Sequence, residues 1–390
     1  MKIIPYGRQY ISQEDIRAVI KAIKSDTITR GPLVNKFENV VCKKVGAKHG
    51  VAVNSATSAL HIACLALGVS SGDKIWTVPN TFVASANCGR YCGAKVNFVD
   101  IDPNTWNISI IKLTDKLRKA KKNNSLPKVL VSVHFAGQPT EQEKIRKLSK
   151  QYGFFVIEDA SHSLGAKRNG EHVGSCKWSD ITVFSFHPVK AITTGEGGMA
   201  ITNSLKLASK MKIFRNHGIV KDVKEMKKKS NLSWYYEQKD LGYNYWMSDI
   251  QAALGINQIK KIKTFINKRN KIAKFYDDKL VDLPIQKQTI LKGNYSAFHL
   301  YVIRIKIKKI KEKYNKIFRE LRAKKIGINL HYLSLHLQPY YKKFGFKKGD
   351  FPNSENYSNS AISLPIYYNL KKTEQIKVIN IVRNIIKKCL

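Results

Sequence analysis

The chain has 390 residues, of which 43% are hydrophobic and 10% aromatic, enough for two domains, or one large domain with an appendage, with a substantial core and unlike a disordered or low-complexity protein. The formal charge is +41, from 69 basic and 28 acidic residues. Its lysines run along the whole length without the interleaved aromatics of a nucleic-acid surface, so nucleic acid is not expected as a partner and the charge reads as solvated surface that attracts anions.

Met1 to Tyr10 holds no apolar stretch that could serve as a signal sequence, and no window approaches about eighteen uninterrupted apolar residues. A cytoplasmic protein with no membrane span is expected. The six cysteines are scattered. Cys88 and Cys92 are spaced for one helical face, but no second Cys or His pair stands at ligand spacing, so free thiols are expected and no metal.

The opening helix is predicted over Gln13 to Ser25. The run Val51-Ala52-Val53 follows, then Asn54 to Ser58, then a helical pattern carrying Leu60, Ala63 and Leu67. Strands are predicted at Lys74 to Val78, Lys95 to Val99, Val129 to His134, Phe154 to Ile157, Ile181 to Phe186 and Gly198 to Thr202. Short β-branched runs alternating with helical patterns imply an α/β domain with a mostly parallel central sheet covered by helices. From Ser248 a long helical pattern leads away from the sheet. A strand at Leu300 to Ile307, a helix at Lys311 to Lys324, a strand near Ile362 to Pro365 and a helix at Thr373 to Lys388 suggest a smaller α+β domain. The expected division is 1–265 for the large domain with an N-terminal arm and 266–390 for the small one. Residues 221–229 read as a loop.

Four features carry chemistry, and each has a plain alternative. Ser55-Ala56-Thr57-Ser58 between a buried strand and a helix offers small residues, hydroxyls and free N–H groups to a phosphate, though taken alone an ordinary N-cap is the better explanation. Glu158-Asp159 closes a strand where side chains face a ligand crevice, so an acid there can keep a ring nitrogen protonated; a solvent-facing acid is the alternative. Lys190 follows Phe184-Ser185-Phe186-His187-Pro188-Val189, just past a sheet edge, where apolar surroundings lower an amine's pKa toward that of a nucleophile. In a chain so rich in lysine its position, not its type, is the argument. Thr193 to Gly198 supplies a turn beside it, or an ordinary loop. A phosphate cradle, an acid for a pyridine nitrogen and a lysine for an aldehyde together are the set that pyridoxal phosphate requires.

These motifs resemble those of the DegT/DnrJ/EryC1/StrS sugar aminotransferases, from Ile4-Pro5-Tyr6-Gly7-Arg8-Gln9 nearly to the C-terminus. The strongest segments are Asn54 to Leu60, Glu158 to His162, Phe184 to Gly198 and Gly242-Tyr243-Asn244-Tyr245-Trp246-Met247-Ser248-Asp249. Within the family they look most like the branch that makes pseudaminic acid precursors from a UDP-linked 4-keto-6-deoxy-2-acetamido sugar. The resemblance implies the fold type I of pyridoxal-phosphate enzymes, similar to aspartate aminotransferase. It implies Lys190 as the catalytic Schiff-base lysine and Asp159 as partner of the pyridine nitrogen. Thr57, Ser58 and Ser185 would hold the phosphate, Ala56 would also contact the cofactor, and Phe82 and His162 would flank the ring. Asn244 would reach in from the other subunit of a homodimer. The amino donor would be glutamate. Tyr6, Arg8, Arg30, His331, Tyr332 and His336 are the candidate substrate contacts.

Trp246 stands where many relatives carry arginine, which leaves Arg8 or Arg30 to hold an anionic group. A non-catalytic cofactor-binding regulator is the rival from another class, and intact Lys190 and Asp159 argue against it. A sugar dehydratase of the same family would carry histidine in place of Lys190. Gly68-Val69-Ser70-Ser71-Gly72 matches a hydrolase nucleophile pattern but lies after a helix and before a strand, the wrong order for it.

Overall fold

The computed structural model describes residues 3–222, 226, 228, 230 and 232–389; most of the 221–229 segment, expected as a loop, lies outside them. In chain order the central strands are β1 (His49–Val53), β2 (Lys74–Thr77), β3 (Lys95–Phe98), β4 (Val129–Val133), β5 (Phe155–Asp159), β6 (Ile181–Ser185) and β7 (Gly198–Thr202). They form one seven-stranded sheet in the order β1-β7-β6-β5-β4-β2-β3. The strands β2 to β6 pair in parallel, whereas β7 runs antiparallel to both β1 and β6. Apolar periodicity does not encode strand direction, so the sequence located β7 without revealing its reversal.

Every residue of β4, β6 and β7 is buried, as expected for strands covered on both faces. Successive side chains feed two separate cores. Val51, Val131, Ile157, Val183 and Ala200 pack on one side with the Ala56–Ala66 helix. Ala52, Phe184, Met199 and Ile201 pack on the other with Phe37, Phe265 and Ile266. The Ala56–Ala66 helix is apolar nearly all round because other helices wrap it, Ala84–Tyr91 and Leu205–Arg215 among them.

The apolar run from Ser248 is two helices, Asp249–Lys260 and Ile262–Lys279, broken at Lys261. The first begins with a capping box from Ser248 and Gln251. The second serves two cores: Ile262, Phe265 and Ile266 lie in that of the large sheet, Ile272 and Tyr276 in that of the C-terminal region. There a three-stranded antiparallel sheet has Tyr301–Ile305 at its centre, flanked by Ile285–Lys287 and Ala361–Leu364. The Ile310–Ala323 and Lys372–Lys387 helices contribute Ile317, Leu321, Val378 and Val382 to the same core.

The N-terminal segment joins this second core through Ile4, which pairs with Ile326. Ile366 N–H donates to the Tyr6 carbonyl at 3.0 Å, so Tyr6 is strapped between the two halves. Among the described residues no helix is long and apolar enough to cross a membrane.

Candidate active site

All the parallel strands end at one edge of the sheet, and a cavity of about 540 Å³ opens there. Ser55, Ala56 and Thr57 enter it from the end of β1, Thr81 and Phe82 from beyond β2, Asp159 from β5 and Ser185 from β6. Asn329, Leu330, His331 and Tyr332 close it from the C-terminal half, and Tyr6 from the N-terminal segment. Tyr332 N–H donates to Asn80 Oδ1 at 3.1 Å and Leu335 N–H to the Pro79 carbonyl at 2.9 Å, which anchors that stretch to the loop after β2.

The helix start at Ala56 is held by Ser55, whose hydroxyl caps Ser58 N–H at 3.1 Å. Ala56 and Thr57, on the cavity wall, then supply the remaining N–H groups of the helix start as an anion cradle. Gly198 passes directly beneath. A Cβ there would stand 2.4 Å from the Ser55 carbonyl and Ala56 nitrogen, so no larger residue fits.

Asp159 and Lys190 share this cavity. Asp159 is buried; its Oδ2 accepts from Ser85 Oγ at 2.6 Å and its Oδ1 from Ser161 N–H at 3.2 Å. Burial lowers the Lys190 pKa to about 8, against the opposing attraction of Asp159, so the amine is partly neutral near physiological pH. Burial, then the Lys190 charge, drives His331 down to about 3. Burial, then Lys190 and His331, holds His162 well below its usual range. His162 is therefore a neutral ring. Its Nε2 meets Tyr332 Oη at 3.2 Å, while its buried Nδ1 has no hydrogen-bond partner. Phe82, 55% exposed, stands at the mouth opposite Tyr332, with ring centroids 6.1 Å apart.

The cavity thus gathers Tyr6, Ala56, Thr57, Phe82, Asp159, His162, Ser185, Lys190, His331 and Tyr332 from the sequence expectations. Other candidates lie elsewhere. Ser58 is buried behind the wall, its hydroxyl donating to Asn54 Oδ1 at 2.6 Å and its N–H to Ser55, so capping consumes both donors. His336 is fully buried, bonded to Glu355 Oε1 at 2.9 Å and packed on Phe351; it braces the loop instead of facing substrate. Arg8 borders a separate small cleft on the far side of Lys190. Arg30 is exposed, 5.7 Å from the Trp246 ring. Asn244 is exposed, pairs with Asn216 and is not on this chain's cavity wall.

Trp246 lies over the guanidinium of Arg215, 4.0 Å from its ring centroid, and donates from its indole N–H to Asn216 Oδ1 at 3.0 Å. Arg215 in turn is bonded to Glu38 at 2.6 Å and to the Ala52 carbonyl at 2.7 Å. The position expected to carry an arginine is therefore filled by a ring stacked on a buried one. Cys88 and Cys92 donate to backbone carbonyls, and among the described residues no group of three or more His, Cys, Asp or Glu could hold a metal.

Sequence reasoning missed Ser85, Asn329 and His299, the last in ring contact with His162 at 4.3 Å. The hydroxyls of Thr81 and Ser85, four residues apart after β2, carried a signal in the same strand-end logic that found Asp159. Asn329 and His299 carried none, since they belong to a distant part of the chain.

The residues present fit pyridoxal phosphate on this chain's own geometry: an open helix start over Gly198, an ionisable acid with capacity to accept another bond, an orphaned imidazole nitrogen and a lysine of lowered pKa. The profile of the DegT/DnrJ/EryC1/StrS aminotransferase family matches residues 9–383. A UDP-4-amino-4,6-dideoxy-N-acetyl-beta-L-altrosamine transaminase of Campylobacter jejuni is 39% identical over 378 residues, 96% of each chain. The fold matches Helicobacter pylori PseC, an aminotransferase involved in the biosynthesis of pseudoaminic acid, with TM-score 0.90 and 31% identity, covering 99% of this chain and 100% of that one. It also matches a putative sugar aminotransferase of Streptococcus pneumoniae, Spr1654, in its PMP form, with TM-score 0.89 and 26% identity, over 99% of this chain and 100% of that one.

Proposed function

We propose that this chain, which belongs to the DegT/DnrJ/EryC1/StrS aminotransferase family, transfers an amino group from glutamate to C4 of a UDP-linked 4-keto-6-deoxy-2-acetamido sugar, a step toward pseudaminic-type sugars. The observation that carries the reading is the presence of Lys190, its pKa lowered to about 8, and of Asp159 in one cavity entered by the start of a helix.

When bound, pyridoxal phosphate supplies an aldehyde for amino groups and a ring that accepts the electrons of a breaking C–H bond. Thr57, Ser185 and the N–H groups at Ala56 would hold its phosphate. Asp159 would keep the ring nitrogen protonated, and His162, held neutral, would pack against the ring without adding charge. Lys190 would anchor the aldehyde through its amine. The same amine would take the proton from the donor's Cα and deliver one to C4 of the sugar. A neutral amine at working pH is what both roles need.

The substrate class is supported by the Campylobacter jejuni relative, whose name states a UDP-linked 4-amino-4,6-dideoxy sugar, and by a cavity large enough for a hexose beside the cofactor. Tyr6, His331, Tyr332 and Phe82 offer ring faces to it. The diphosphate would be drawn by the chain's excess of cations. We propose further that two copies pair, each lending Asn244 to the other's phosphate.

The test is an absorption spectrum of the purified protein before and after glutamate, then after each of a panel of UDP- and dTDP-linked 4-keto sugars. A visible band that bleaches with glutamate and returns with one UDP-4-keto sugar is the expected result. Return with a dTDP sugar alone would overturn the substrate assignment, and no band after added pyridoxal phosphate would overturn the cofactor assignment.

A further inference from the structure

Asp159 is not left to find its own orientation. Ser85 Oγ lies 2.6 Å from its Oδ2, and Thr81 Oγ1 lies 2.8 Å from Ser85 Oγ. Ser85 is fully buried and Thr81 nearly so, at 0% and 2% exposure, so neither hydroxyl has bulk water as an alternative partner. Ser85 sits in the first turn of the Ala84–Tyr91 helix, whose contacts with β2 fix it relative to the sheet. Thr81 and Ala84 are on the cavity wall, whereas Ser85 is behind it.

The direction of the two bonds follows from the inventory of protons. An ionised carboxylate only accepts, so the single Ser85 proton must go to Asp159. Ser85 then has lone pairs to spare and accepts from Thr81. With Asp159 ionised, the chain Thr81 to Ser85 to Asp159 is therefore polarised toward the acid.

We infer that Ser85, oriented by Thr81, is a positioning residue that fixes the Asp159 carboxylate against the pyridine nitrogen of the cofactor. This rests on the cofactor reading above. Ser85 touches neither cofactor nor substrate; it acts only through Asp159.

The experiment is a double-mutant cycle on the full chain, with the dissociation constant of pyridoxamine phosphate measured by fluorescence in wild type, Ser85→Ala, Asp159→Ala and the double variant. Pyridoxamine phosphate is chosen because it binds without joining Lys190. With the wild-type Asp159 present, Ser85→Ala should weaken binding about tenfold, the scale of one hydrogen bond to a charged group. In the Asp159→Ala background the same substitution should change it less than about twofold. The pH midpoint of the visible band with pyridoxal phosphate should also move in Ser85→Ala, and Thr81→Val should move it the same way by less. A Ser85→Ala protein that binds and titrates as wild type overturns the inference, as does an equal loss in both backgrounds, which would mark a purely structural serine. Wild-type protein that binds no pyridoxamine phosphate overturns the cofactor reading itself, and the inference with it.

Discussion

Glu158 and Asp159 are neighbours in sequence and lead opposite lives in the structure. Strand alternation sends the Asp159 carboxylate into the cavity, bonded to Ser85, and sends Glu158 away from it, where Thr182 Oγ1 donates at 2.8 Å, Gln142 also donates, and His134 lies 3.6 Å away. Burial alone would raise the Glu158 pKa, but the His134 ring beside it and the bonds from Gln142 and Thr182 outweigh burial and hold the carboxyl below its usual value.

The two acids should fail differently when made amides. Glu158→Gln should cost about 2–4 kcal/mol of stability, because it disturbs a buried bonded charge, yet leave the affinity for pyridoxamine phosphate within a factor of about two. Asp159→Asn should melt close to wild type and lose on the order of a hundredfold or more in kcat. Because the folded Glu158 pKa is depressed, its contribution is present above the ordinary glutamate pKa and is lost as pH falls through the lower folded value, so the stability gap between wild type and Glu158→Gln should narrow in acid. Thermal melts at neutral and acidic pH, pyridoxamine phosphate titrations and steady-state kinetics check these statements.

Lys190 in the cofactor-free protein should capture pyridoxal phosphate in its neutral form. Capture rate should therefore climb with pH and level off above about 8, not near the ordinary lysine value, as stopped-flow absorbance would show. Lys190→Ala should abolish turnover and still bind pyridoxamine phosphate. An alanine variant that turns over would remove Lys190 from the mechanism.

His336 gives a contrasting case. Replacement by alanine removes a buried bond to Glu355, whose Oε1 keeps the Gly349 and Phe351 N–H donors, and the ring packed on Phe351; it should destabilise the fold by about 1–3 kcal/mol, with no selective rise in KM for the sugar nucleotide. Tyr332→Phe, on the cavity wall, should do the reverse: little change in melting and a measurable change in kcat or KM. Paired melting curves and kinetics of the two variants separate the roles.

Arg215 and Trp246 should be unequal partners. Arg215→Ala strands the buried Glu38 carboxylate and should cost about 3–5 kcal/mol. Trp246→Ala removes a cation–π contact and one hydrogen bond, for a loss of about 1–3 kcal/mol. Denaturant titration of both variants measures the difference.

How much of this could be read from the chain alone depends on how local each cause is. The strands came within a few residues because β-branched runs between turn signals record burial directly, as with Val129–Val133 and Gly198–Thr202. Lys190, Asp159 and the Ala56–Thr57 turn were legible because each follows its own strand immediately, and strand ends in such sheets converge on one edge. The helices Pro32–Val45 and Ile110–Lys122 went unread although their apolar faces are regular, and the apolar run after Ser248 concealed a break at Lys261.

What the sequence by itself determined was the position of the strands, the order of motifs along them and which side chains stand at one edge of the sheet, all fixed by residues within a few positions of one another. Only the tertiary structure decided that Ser58 and His336 turn inward to neighbours, that Ser85 braces Asp159 across 74 positions, and that Trp246 covers Arg215. These outcomes rest on which of several competing partners a side chain meets once distant segments pack. Hydroxyls, imidazoles and guanidiniums carry that ambiguity in sequence because each can bond equally well to backbone, to another side chain or to a ligand.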